Sequence, residues 1–211
     1  GFGCVFRPAL RCAAGSAAAS RYKASDVSKL MTRRDANEEM EELARVMPVL
    51  RIIPDAEKYF VGVGGDQNLY ACTPAPLTRE DARHYSRCSP LIRRGFPLES
   101  VNDKLKDLRV INQSDGGIEV NEAWGYANHA GRGSYAAAMV DFTTGFQALN
   151  ASLMRLLLHG VVPLNRMGVL HGDLKASNVL VDAGPAAPAG SHIARLLENM
   201  TPTQAGNPNI L

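Results

Sequence analysis

The 211-residue sequence lacks a charge excess, with 23 Lys and Arg against 21 Asp and Glu for a net charge of +2. No run of basic residues gathers that charge, Arg33-Arg34 and Arg93-Arg94 being isolated pairs, which excludes a nucleic-acid-binding arm. The chain also lacks an apolar run of bilayer length, and a charged start followed by an apolar core, so neither a membrane span nor a signal peptide is expected. The reading that remains is a soluble, cytoplasmic protein. Cysteine is scarce: Cys4, Cys12, Cys72 and Cys88 form no CxxC pair, and no His stands at zinc-finger spacing. No structural metal is expected from them, and in an intracellular setting buried or free thiols are expected in place of disulfides. An initiator Met is missing as well, the chain opening on Gly1, as expected of a fragment.

What is present describes a globular chain. Hydrophobic residues make up 45% and charged residues 21%, so disorder is not the default, and the length suffices for one domain or two lobes. The most informative stretch is MGVLHGDLKASNVLVD, Met167 to Asp182. An apolar approach (Val169, Leu170) and an apolar exit (Val179, Leu180, Val181) read as buried strands enclosing a polar loop with His171, Asp173, Lys175 and Asn178. An acid and an amide five residues apart on one loop can face one small volume, the acid accepting a hydroxyl proton and the amide oxygen ligating a hard cation. Lys175 places a positive charge beside developing phosphoryl charge.

This loop resembles the catalytic loop of protein kinases, H-x-D-L-K-x-x-N. The resemblance implies an α+β, two-lobed kinase-like fold that uses ATP and Mg²⁺. It places the amino-terminal lobe at 1–114 with an insertion at about 66–105, and a partial carboxy-terminal lobe at 115–211 with its catalytic loop at 169–182. In that frame Asp173 orients the substrate hydroxyl, Lys175 offsets phosphoryl charge and Asn178 binds Mg²⁺.

The amino-terminal residues fit the same frame. GFGCVF, Gly1 to Phe6, puts two glycines before a short strand, where the backbone can approach a phosphate closely. Against the kinase pattern G-x-G-x-x-G-x-V, Gly3 aligns with the third glycine and Val5 with the valine. GFGCVFRPALRC as a whole resembles the opening of kinase-like proteins of giant DNA viruses and some of their protist hosts, which implies a host cytoplasm or virion setting. DVSKLM reads as a strand whose Lys29 holds the α and β phosphates. TRRDANEEMEELARVM reads as a helix capped by Thr32 or Asp35 and stopped at Pro48. Its AxxE pattern points to Glu39 as the partner of Lys29, with Glu38 and Glu42 as rivals.

Tyr59-Phe60-Val61 reads as a strand, and 68–105 as an insertion between two strands with helical hints at 78–87 and 98–105. LRVIN, Leu108 to Asn112, is the last strand before the hinge-like QSDGG. Residues 136–159 carry a helical apolar pattern ending at Gly160, followed by a second helical piece, Val162 to Arg166.

The resemblance fails after Asn178. Where Asp-Phe-Gly is expected the chain reads Glu198-Asn199-Met200, which makes Glu198 the substitute metal carboxylate, with Asp182 as a second candidate. No later segment of a second lobe follows Leu211, so a truncated kinase is expected. The leading reading is phosphoryl transfer from ATP to a serine or threonine hydroxyl of a protein substrate. A binding module without turnover is the first alternative. The second is a small-molecule phosphotransferase of the aminoglycoside or choline kinase type, to which Gly172 points and against which Lys175 argues.

Overall fold

The computed structural model describes residues 3–64, 69–120, 146–147, 149–181 and 208–210. It is a mixed α and β structure that divides into two compact units. The first comprises Gly1–Met47 and Gly65–Asp115, and the second Pro48–Gly64 and Gly116–Leu211. Segment 48–64, which the sequence places with the amino-terminal lobe, belongs to the second unit.

The first unit is an antiparallel sheet of β1 (Gly3–Phe6), β2 (Val27–Thr32), β4 (Leu108–Gln113) and β3 (Leu69–Cys72), in that spatial order. Period-2 alternation gives the sheet two different faces. One carries Met31 and Ile111, which pack against Ala36 of helix α1 (Arg33–Leu50), with Met40, Leu69 and Ala71 at the margin. The other carries Cys4, Phe6, Leu30, Tyr70, Cys72, Leu108 and Val110. The chain between β3 and β4 covers this second face with α2 (Arg79–Tyr85), α3 (Ser89–Ile92) and a 3-10 turn (Val101–Asp107), burying Tyr85, Leu91 and Val101 against it. Each such side chain, fully buried, contributes roughly 1.5–3 kcal/mol relative to exposure. Thr78 caps α2 in a reciprocal box with Asp81. Burial pushes the Tyr85 phenol up to about 12, and its hydroxyl donates to the Phe96 carbonyl at 2.6 Å.

A buried polar cluster fixes the segment after β1 to the sheet. The Leu10 N–H donates to Ser28 Oγ at 2.6 Å, and the Ser28 hydroxyl donates in turn to Asn112 Oδ1. Asn112 Nδ2 donates to the Leu10 carbonyl at 3.2 Å and to the Tyr70 hydroxyl at 3.1 Å.

The cysteines correct the sequence expectation: none is free, and two disulfides join Cys4 to Cys88 and Cys12 to Cys72. The physical reason is pairing across long sequence separations of 84 and 60 residues. An isolated bridge between Cys12 and Pro74 lays the post-β1 segment beside the end of β3, and Cys4 faces the inserted helices. In the chain-entropy account, closing loops of this size stabilises by about 4 kcal/mol each.

In the second unit β6 (Val179–Val181) lies between β5 (Ile118–Glu119) and β7 (Pro208–Ile210), both antiparallel to it. Residues 149–155 are helical and continue through a π turn (Leu156–Val161) into α4 (Val162–Arg166), so Gly160 does not end the helix as expected. A Cβ at Gly160 would stand 3.0 Å from that of Tyr59, whose ring stacks on His159 at 6.3 Å. Glycine there is a close-packing residue.

Three further expectations are corrected. Pro48 lies inside α1, near enough to its end that the helix completes its turn through Leu50. Tyr59-Phe60-Val61 is no named strand: a 3-10 turn, Ala56–Lys58, precedes it, Tyr59 is a turn residue and Phe60 makes a single β-bridge, both of them buried. Val169-Leu170 is no buried strand either, Leu170 being 76% exposed. Among the described residues no helix is long and apolar enough to cross a membrane.

Candidate functional site

Lys29 sits in mid-β2, directly opposite Val5 of β1 and Ile111 of β4. All three therefore share the sheet face on which α1 packs. Helix α1 begins immediately after β2, with Thr32 Oγ1 accepting the Asp35 N–H at 3.2 Å as its cap. Ala36 and Met40 face the sheet, and Glu39, one turn beyond Ala36, is carried to the same side. Its carboxylate grips Lys29 with both oxygens, Nζ to Oε1 at 2.8 Å and to Oε2 at 2.7 Å. Of the rivals, Glu38 pairs with Arg34 one turn back at 2.8 Å, and Glu42 is exposed.

Val5 is 69% exposed on the face that carries Lys29, available to an incoming apolar ring. Gly3 lies opposite Met31, and a Cβ there would come within 2.7 Å of the Leu30 carbonyl. The sheet itself thus demands glycine at this position, apart from any phosphate. Gly1 lies outside the described residues.

The start of α1 is held from the insertion, which the sequence had left without a role, and from Lys106 just beyond it. Asp35 pairs with Arg94, and Arg33 donates to the Lys106 carbonyl. Neither contact carried a sequence signal: Arg33 and Arg94 read as isolated basic pairs, and Asp35 as a candidate helix cap.

In the second unit the loop 171–178 leads through a 3-10 turn, Ala176–Asn178, into the buried strand β6. Asp173, Lys175 and Asn178 converge there. Lys175 Nζ donates to Asp173 Oδ2 at 2.8 Å, while Asn178 Nδ2 donates to the same oxygen at 3.0 Å and to the Asp173 carbonyl at 2.7 Å. The hydrogen bond from Lys175, then that from Asn178, with the charges of Lys175 and His171 adding to them, hold the exposed Asp173 carboxyl below the ordinary aspartate value. It is ionised at neutral pH and positioned to accept a hydrogen bond from a hydroxyl. Because Asn178 uses its nitrogen on Asp173, the amide oxygen, the atom that ligates hard cations, is not spent in that contact. Nothing crowds Gly172, where a Cβ would meet open space.

Residues Asp182 and Glu198, the two candidate carboxylates downstream, lie outside the described residues. Between β4 and β5, where the hinge is expected, Asp115 pairs with Arg7 at 2.5 Å, and Gly117 adopts φ 105°, a backbone conformation natural to glycine.

The chain matches no protein-family model, and no curated protein or solved structure is significantly similar to it.

Proposed function

We propose that this chain is a protein-kinase-like domain with a two-lobed plan, transferring a phosphoryl group from ATP to a serine or threonine hydroxyl of a protein. The observation that carries the reading is the two-pronged Lys29–Glu39 pair. The sequence offers Lys29 from its strand and Glu39 from an AxxE pattern, ahead of Glu38 and Glu42, and the fold pairs Lys29 with Glu39. A lysine clamped by a glutamate is held extended, its charge fixed in place for the α and β phosphates.

In this reading Asp173 orients the acceptor hydroxyl and takes its hydrogen bond, Lys175 balances charge on the transferred group, and Val5 covers one side of the base. The oxygen donors at Asn178 and Asp173 suit Mg²⁺, a hard cation that keeps several waters and leans on substrate phosphates. Bound there with ATP, the ion would neutralise phosphate charge; Asn178 would hold it, with Glu198 proposed as a further ligand.

Incubation with γ-labelled ATP and a serine- and threonine-rich acceptor protein, beside an aminoglycoside and choline as small acceptors, tests the reading. Label is expected on the protein, and Asp173→Ala should lower transfer by about 10²–10⁴-fold while ATP stays bound. Label on the small acceptors alone would replace this reading with the small-molecule one. ATP binding with no transfer to any acceptor would make the chain a binding module.

A further inference from the structure

The two disulfides differ in reach. Cys12 and Cys72 are both buried, as is Cys88, whereas Cys4 is only partly buried. Cys4 is thus the least buried of the four cysteines, which makes the Cys4–Cys88 bond the first candidate for attack by a soluble thiolate.

The more accessible bond also closes a ring of contacts through the proposed nucleotide site. Cys4 is next in chain to Val5, which faces Lys29 across the β1–β2 register. Lys29 is held by Glu39 of α1, and α1 is held at its start by Asp35 to Arg94. Arg94 lies two residues past α3, and Cys88 immediately precedes that helix and returns the ring to Cys4. The disulfide is the covalent link in this ring; the others are ion pairs and strand pairing.

We propose that the Cys4–Cys88 disulfide is a redox control on the Lys29–Glu39 pair, with nucleotide affinity high in the oxidised form and lowered when a dithiol reduces the bond. The proposal rests on the nucleotide-site reading above. In the reduction, one thiolate of the dithiol attacks Cys4 Sγ, forming a mixed disulfide and expelling the Cys88 thiolate. The second thiol of the reductant then attacks its own sulfur in that mixed disulfide, releasing Cys4 as thiolate. Two electrons pass to the protein, the reductant leaves as a cyclic disulfide, and its two thiol protons end on Cys4 and Cys88 or in solvent. With the staple open, β1 and α3 separate more freely, the Arg94–Asp35 contact loses its fixed base, and the helix bearing Glu39 is less well held against Lys29.

The full chain is titrated with dithiothreitol, opened cysteines are alkylated and mapped by mass, and the Mg-ATP dissociation constant is measured on each species. Cys4 and Cys88 are expected to be labelled before Cys12 and Cys72. Affinity should fall about five- to tenfold at that step, the low end of allosteric couplings, and return on reoxidation. A Cys4→Ala/Cys88→Ala variant should bind like the reduced form and ignore the dithiol; should it not fold, the stepwise reduction of the wild-type chain still decides. Equal ATP affinity before and after the first bond opens would overturn the redox control alone, leaving the bond a permanent staple. Simultaneous opening of both bonds would overturn it too. Absence of ATP binding in either redox state would remove it together with the function it rests on.

Discussion

Lys29 of β2 and Glu39 of α1 form a two-pronged ion pair, with Nζ 2.8 and 2.7 Å from the two carboxylate oxygens. The side chains are 37% and 31% exposed, so solvent screens the pair and its contribution to folding is small. Its geometry serves placement of a charge more than stability.

Replacing Glu39 by Gln should therefore separate the two roles. Urea unfolding is expected to change by less than about 1 kcal/mol. Calorimetric titration with Mg-ATP should show clearly weaker binding. A large stability loss with unchanged binding would make the pair a structural bridge.

Gly3 tests the packing of β1. A methyl group at this position meets the Leu30 backbone oxygen at 2.7 Å, and backbone cannot swing aside. Gly3→Ala should destabilise by about 1–3 kcal/mol in urea, as overpacking does. Gly172→Ala, where nothing stands within 4 Å, should be close to neutral.

Asp173 sets a pH dependence. The bonds from Lys175 and Asn178 lower its folded-state pKa, so the ionised carboxylate is favoured in the fold. Any contribution it makes is present above the unfolded-state pKa and is lost as pH falls through the lower folded value. A carbon-13 NMR titration should place its midpoint below the ordinary aspartate value. Lys175→Met should move that midpoint upward; an unmoved midpoint would show that the bond does not form in solution.

Asn112 is fully buried and joins Ser28, Leu10 and Tyr70. Truncation to Ala strands a hydroxyl, a carbonyl and a phenol in the core. Urea unfolding should report a loss of about 1–3 kcal/mol, the range for an unsatisfied buried polar group. A near-neutral effect would mean that water replaces the amide.

Sequence alone made much of the local structure legible. β2, α1, β4 and β6 follow from apolar spacing; the sequence left the α1 cap open between Thr32 and Asp35, and pointed to Glu39 as the partner of Lys29 with Glu38 and Glu42 as rivals. The rest depended on distance in the chain. Cys4 and Cys88 are 84 residues apart, and no local signal announces a partner that far away. Tyr59 and Phe60 carry the apolar signature of a strand, but that signature reports burial, which a turn residue and a single bridge satisfy equally. Val169-Leu170 had the composition of a strand without a neighbour: among the described residues β6 takes its partners from β5 and β7. Arg94 read as one of an isolated basic pair and Asp35 as a candidate helix cap, and their contact depends on the insertion folding back on α1.

Thermal unfolding with and without Mg-ATP tests the nucleotide site most directly, with Lys29→Met and Asn178→Ala variants in parallel. At about 100 times the dissociation constant, bound nucleotide adds roughly 2.7 kcal/mol to the folded state. The wild-type chain should show a magnesium-dependent rise in melting temperature that both variants lose. A cooperative unfolding transition that Mg-ATP leaves unmoved in the wild-type chain would contradict the kinase-like reading.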